Sequence, residues 1–199
     1  MKKIIIFLIF LFGLSFSCKK NGEISYIDYE IIGFNIKIYE YNEISDEYTI
    51  IDSLDTISYN NLVICLEGEI QKTSQANFNK KNIYLFIKPL YADDVQDRIV
   101  GTIANITVFS NNNYNSQYHA FGTINNILKV RYQKENGMPT DNPIKLNDYL
   151  ENNPKSTTLL NFYFDTAPDS IKKHELTFQY RETDGTFIEI ETIPFSIKP

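Results

Sequence analysis

The sequence predicts an all-β protein, an antiparallel β-sandwich of immunoglobulin-like or related architecture with one short helix. Several short segments alternate apolar and polar residues with a period of two, which is typical of half-buried strands. No helical pattern of about ten to fifteen residues separates these segments, as the alternating units of a parallel sheet would require. The chain of 199 residues is near the size of one domain, and residues 26–199 are assigned to a single sandwich.

The clearest alternating segments lie near both ends of this domain. In "GFNIKIYEY", Phe34, Ile36 and Ile38 share one face. The segment "HELTFQYRETDGTFIEIE" contains two alternating runs joined by Asp184-Gly185, a dipeptide that favours a tight hairpin turn. Further strands are predicted in "NLVICLEGEI", "NIYLFIKPL", "ANITVFS" and "LLNFYFD", whereas "INNILKVRYQ" fits either a strand or a short helix.

One helix and two long loops interrupt the strands. The helix, of one or two turns, is predicted in "PIKLNDYLENN", where Leu146 and Leu150 are four residues apart and share a face. Residues 110–118 form an Asn-rich loop, and residues 134–157 contain Gly and Pro. Because loops at the ends of a sandwich commonly carry binding residues, their large side chains are candidate partner contacts: Tyr114, Tyr118, Met138 and Tyr149.

The N-terminus has the pattern of an export signal. Lys2 and Lys3 precede fourteen uncharged residues, which are too few to cross a bilayer as a helix but suit a signal peptide. This stretch ends at Ser17 and is followed by Cys18, a pattern that resembles the lipobox of bacterial lipoproteins. The resemblance implies a signal peptide at residues 1–17 and a tether at residues 18–25 that begins with acylated Cys18. An ordinary secretory signal with a chance cysteine is the alternative.

Charge and cysteine content limit the partners. The formal net charge is −6, which argues against nucleic acid and anionic membrane surfaces, since both select basic patches. No nucleic-acid partner is predicted. The second cysteine, Cys65, alternates with Val63 in an apolar segment, and we interpret it as a small buried hydrophobic residue rather than a reactive thiol.

Residues suited to catalysis or metal binding are few. Neither His119 nor His174 lies in a hydrolase motif. Asp93, Asp94 and Asp97 lie close together, but they lack the glycine of a calcium loop. The pairs Glu67 with Glu69 and Glu189 with Glu191 have the spacing of a solvent-facing strand. We predict no catalytic residue, no metal ligand and no cofactor.

Asp followed by Ser or Thr recurs in "DSL", "DTI", "DTA" and "DSI". These tripeptides resemble the acceptor sequence of the general O-glycosylation system of Bacteroidetes. The resemblance implies four acceptor hydroxyls: Ser53, Thr56, Thr166 and Ser170. The alternative is structural, because Asp-Ser and Asp-Thr also open turns at strand ends.

Larger segments are similar to uncharacterised Bacteroidetes lipoproteins of about 200 residues. The similarity lies in "DTISYNNLVICLEGE", "ITVFSNNNYNSQYHAFGTINN" and "PDSIKKHELTFQYRETDGTFIEIET". It implies an extracytoplasmic β-sandwich held on the outer membrane through the acyl chains of Cys18. We expect a non-enzymatic module that binds or scaffolds an envelope protein or glycan; the alternatives are a glycan or cell-wall ligand-binding lipoprotein and a small hydrolase. "CKKNGE" lacks the acidic run of surface-exported members, so the membrane face stays open between cell surface and periplasm.

The anchor is tested by replacing the acylated residue. We expect Cys18→Ala to abolish incorporation of labelled palmitate and to release the protein from the membrane fraction, since two or more acyl chains are needed for stable anchoring. Cys65→Ala, the matched control, should keep both label and membrane association. Label retained in Cys18→Ala would contradict acylation at this residue.

Overall fold

The computed structural model describes residues 25–52, 55–73, 95–134 and 137–199. The predicted signal peptide, Cys18, Ser53, Asp93, Asp94 and the segment "NIYLFIKPL" lie outside the described residues. Among the described residues, no helix combines the length and apolar character needed to cross a bilayer.

Thirteen strands are described: β1 (Ser25–Asn42), β2 (Glu47–Ile50), β3 (Thr56–Ser58), β4 (Leu62–Lys72), β5 (Val95–Ile99), β6 (Ile103–Ser110), β7 (Leu128–Tyr132), β8 (Ile144–Lys145), β9 (Leu159–Phe164), β10 (Lys172–His174), β11 (Leu176–Glu182), β12 (Phe187–Glu191) and β13 (Phe195–Lys198).

The fold is an all-β sandwich, as the alternation predicted. Its larger layer is a seven-stranded sheet in which the order is β2-β1-β4-β9-β7-β8, and β5 pairs with the first residues of β1. All these pairs are antiparallel except β1 with β5. Two three-stranded sheets, β12-β11-β6 and β10-β13-β3, provide the other strands.

A bulge in β1 changes which residues face inward. The register against β4 shifts between Ile31 and Gly33. Counting back by twos from Phe34 would place Ile32 inside, yet Ile32 is 52% exposed and Ile31 is buried. The extra residue of a bulge reverses the alternation beyond it, so the period of two holds only on each side of this point.

The hairpin predicted at Asp184-Gly185 is confirmed. β11 and β12 pair from Thr177 with Glu191 to Arg181 with Phe187. Gly185 adopts φ +100°, a conformation that glycine accepts at little cost. The Asp184 carboxylate accepts a hydrogen bond from the Thr186 N–H at 2.8 Å, which lowers the pKa of Asp184 because the bond favours the charged form.

The core lies between the seven-stranded sheet and the smaller sheets. Phe162 of β9 contacts Phe178 of β11 with ring centres 5.0 Å apart, and Phe34 of β1 meets Tyr180 of β11 edge-on at 4.9 Å. The alternating residues predicted for β9 and β11 are buried as expected: Leu160, Phe162, Phe164, Leu176, Phe178 and Tyr180.

The single α-helix predicted near residue 146 is also confirmed. It extends over Leu146–Glu151 (α1), and its buried residues are Leu146 and Tyr149. The ambiguous segment "INNILKVRYQ" contains both possibilities, a 3-10 turn at Asn125–Ile127 followed by β7. Asp97, expected in an acidic loop, lies instead in strand β5.

The contact between the sheets can be tested with two phenylalanines. We expect Phe162→Ala to lower the free energy of unfolding by about 3–5 kcal/mol, because it removes a fully buried ring and leaves a cavity. Phe187→Ala, at a ring that is 48% exposed, should cost less than about 1 kcal/mol. Urea denaturation of both variants measures the difference, and equal losses would contradict the placement of the core.

Candidate functional site

The Asn-rich loop is held by its own side chains. The Asn115 carboxamide oxygen accepts the N–H groups of Gln117 and Tyr118 at 2.9 and 3.0 Å. Asn113 accepts the N–H of Ala120 at 2.7 Å. These short polar side chains replace missing backbone partners, as Asn commonly does in turns. The asparagines of this loop, which was predicted to carry binding residues, therefore stabilise the backbone of the loop itself.

Two of the four candidate binding residues are in the core, so their assignment to a partner surface is wrong. Tyr114 is fully buried; it stacks on Phe164 at 5.2 Å and donates its hydroxyl to the Thr166 carbonyl at 2.6 Å. Tyr149 is 2% exposed and packs against Tyr132 at 4.5 Å. Burial raises the pKa of both phenols, since the charged form is poorly solvated there.

The other two candidates differ in exposure and lie in different loops. Tyr118 is partly buried against the core, whereas Met138 is 64% exposed in the loop that follows β7. Aromatic residues in a loop can bind a partner or fill the end of a core, and the sequence alone does not distinguish these uses. Only the tertiary contacts of each ring distinguish the two uses.

The two histidines differ in environment. His119 is exposed, and His174 is completely buried with its Nδ1 2.8 Å from the Ser110 Oγ. Burial, assisted by the Lys172 charge, lowers the pKa of His174 to about 4. A hydroxyl beside an imidazole is the chemistry of a nucleophile and its base, but this pair is enclosed by the protein, so a substrate has no access to it.

The predicted glycan acceptors that the structure describes are exposed. Thr56 lies in β3, and Thr166 and Ser170 lie between β9 and β10. The turn alternative is also visible, because the Asp55 carboxylate accepts the Asp52 N–H at 3.0 Å. Exposure is compatible with either interpretation, and glycosylation stays a prediction.

Acidic residues on the large sheet already have partners. Glu67 forms an ion pair with Lys37 at 2.7 Å, and Glu69 accepts a hydrogen bond from Asn35 at 2.9 Å. Cys65 lies two residues before Glu67 on β4, opposite Lys37 in register. It is 4% exposed, and burial raises its pKa to about 11. Cys65 is therefore a buried, protonated thiol, as interpreted from the sequence.

The sheet β6-β11-β12 presents a different surface. Its inward side chains fill the core, so the alternate residues point outward, as strand geometry requires. These outward residues are mostly polar and lie next to one another in register. We call them the polar sheet face: Asn105, Thr107, Phe109, Thr177, Gln179, Arg181, Phe187, Glu189 and Glu191.

Contacts between strands and along strand β6 order the side chains of this face. Gln179 donates to Glu189 at 2.8 Å, and Asn105 donates to Thr107 at 3.0 Å. The Arg181 guanidinium lies over the Phe187 ring, 5.4 Å from its centre, a cation–π contact. Such pairs restrict the conformations of these side chains.

A shallow depression lies on the face. Its volume is about 180 Å³, and its lining residues are Asn105, Thr107, Gln179, Arg181 and Phe187. Carboxamides, a hydroxyl, a guanidinium and an aromatic ring converge there. Such a set can bind a polar ligand through hydrogen bonds and one charge.

Only part of this face can be identified from the sequence. Glu189 and Glu191 were placed together on a solvent-facing strand, and the structure agrees. The alternation of Thr177, Gln179 and Arg181 with buried residues was visible in the sequence. Asn105 and Thr107 cannot be identified in this way, because their strand β6 precedes β11 by more than 60 residues. The sequence of neither strand indicates that the two pair.

The described residues contain no group of three or more His, Cys, Asp or Glu side chains placed to hold a metal ion. Comparisons with protein-family models, with curated proteins and with solved structures found no match.

The buried histidine should make stability depend on pH. Between pH 6.5 and 4 the unfolded chain protonates His174 while the folded protein does not, so the free energy of unfolding should fall by up to about 3 kcal/mol as pH decreases through this window. Chemical denaturation at several pH values, compared with His174→Gln, isolates this contribution. His119→Gln, at the exposed histidine, should keep the wild-type slope. An unchanged slope in His174→Gln would contradict the assignment.

Proposed function

We propose that this protein is a lipid-anchored component of the cell envelope that binds a ligand, without catalysis, through the polar sheet face. The observation that carries the proposal is the convergence of Asn105, Thr107, Gln179, Arg181 and Phe187 around one depression. These residues lie on paired strands, which hold side chains more rigidly than loops do.

The sequence supports the anchor. Cys18 follows a signal-like stretch, and β1 begins at Ser25, only seven residues later. Even when fully extended, seven residues span at most about 25 Å. An acylated Cys18 would therefore keep the domain close to the outer membrane. Digestion of intact cells with proteinase K distinguishes a domain on the cell surface, which is cut at once, from one that faces the periplasm.

Binding fits the face better than hydrolysis does. Glycoside hydrolysis needs two carboxyl groups on opposite sides of the scissile bond. Glu189 and Glu191 instead lie side by side on strand β12, and Glu189 already accepts a hydrogen bond from Gln179. The buried position of Ser110 and His174 likewise favours a structural role for that pair.

The face is tested by removing three of its side chains together. We expect Asn105→Ala/Gln179→Ala/Phe187→Ala to lower co-sedimentation of the full-length protein with isolated envelope material by at least about tenfold, because several contacts of about 1 kcal/mol each are lost.

The matched control removes the same kinds of side chain from the seven-stranded sheet. Asn35→Ala/Gln71→Ala/Tyr48→Ala alters exposed residues of β1, β4 and β2 and should keep wild-type binding. Equal binding by both triple variants would overturn the proposal that this face is the binding surface.

A further inference from the structure

The depression on the polar sheet face carries a single charge. Arg181 is the one charged side chain among the five lining residues. Within the part of the chain that the structure describes, it forms no ion pair, whereas Lys37, Arg98 and Lys129 each bind a carboxylate. An exposed cation inside a concave site attracts an anionic group.

The Arg181 side chain is oriented before a ligand binds. Its guanidinium lies over the Phe187 ring at 5.4 Å, and a stacked guanidinium keeps its in-plane N–H donors available. These donors form a planar fork that matches a carboxylate through two parallel hydrogen bonds. Less conformational entropy is lost when such a side chain binds, because it is already ordered.

The neighbouring polar groups suit hydroxyls. Asn105 and Gln179 use their amino groups in hydrogen bonds to Thr107 and Glu189, and their carboxamide oxygens have no partner among the described residues. Thr107 accepts from Asn105 and keeps its own hydrogen for donation. Two acceptors and one donor next to a cation match a ligand with several hydroxyl groups and one acid.

The size of the depression limits the ligand to one ring. Neighbouring strands are about 4.8 Å apart, and alternate residues on a strand are about 7 Å apart. Asn105, Thr107, Gln179 and Arg181 therefore mark a patch of roughly 5 by 7 Å, with the Phe187 ring on the next strand. The volume of about 180 Å³ is below the roughly 300 Å³ of the smallest common ligand pockets.

We propose that this depression binds an acidic sugar residue, a pyranose ring that carries a carboxylate. Arg181 holds the carboxylate, while Asn105, Gln179 and Thr107 bind ring hydroxyls and Phe187 contacts the apolar ring edge. A single positive charge beside Glu189 favours a monoanionic carboxylate over a dianionic phosphate. This inference rests on the proposed function, because it names the ligand class of the same face.

The test compares two sugars that differ only in the acid. Dissociation constants of methyl glucuronide and methyl glucoside are measured by ligand-observed NMR with the full-length protein in detergent micelles. We expect the glucuronide to bind at least about tenfold more tightly, as a charge-assisted bidentate contact implies. Arg181→Gln should remove this preference, and Glu189→Gln should tighten glucuronide binding a few-fold by removing a like charge.

The control Lys198→Gln removes an exposed cation from β13 and should leave the preference unchanged. Equal affinities for the two sugars, or a preference that persists in Arg181→Gln, would overturn the acidic-sugar assignment. Acetate that competes as well as the glucuronide would show that the ring is not recognised, and absence of sugar binding would also overturn it. The proposed function fails separately, if the triple variant of the face still binds envelope material.

Discussion

The contact between the seven-stranded sheet and the smaller sheets is the interaction on which the rest of the structure depends. A single sheet with one apolar face is not stable in water and must bury that face against another layer. Here Phe162 meets Phe178 and Phe34 meets Tyr180 across the interface. Every strand residue is thereby assigned to one of two sides, and those that point inward are unavailable to a ligand.

The same constraint decides what the loops do. The ends of the sandwich must be closed, and polar groups enclosed there need hydrogen-bond partners. Tyr114 fills one end and donates a hydrogen bond to Thr166, while Ser110 is hydrogen-bonded to Nδ1 of His174. Among the described residues, the Nε2 of His174 has no hydrogen-bond partner. The buried Glu182 carboxylate likewise accepts hydrogen bonds from Ser156 and Tyr180 at 2.5 and 2.7 Å. Loop residues that the sequence suggested as ligand contacts, such as Tyr114, are thus part of the core.

The proposed binding site lies on the outward side of β6, β11 and β12. Its side chains are fixed by the register of three paired strands, and contacts such as Arg181 over Phe187 order them further. A site on strands costs little entropy to organise, because the backbone beneath it is already held by ladder hydrogen bonds.

The sequence by itself determined the fold class, the short helix at Leu146–Glu151, the hairpin at Asp184-Gly185 and the burial of Cys65. These follow from local rules, namely the period of strands and the backbone freedom of glycine, which act over a few residues. Tertiary structure decided the bulge at Ile32, the burial of Tyr114 and Tyr149, and the meeting of Asn105 with Arg181. Each of these depends on which distant strand or ring lies alongside, and single-sequence periodicity contains no information about that partner.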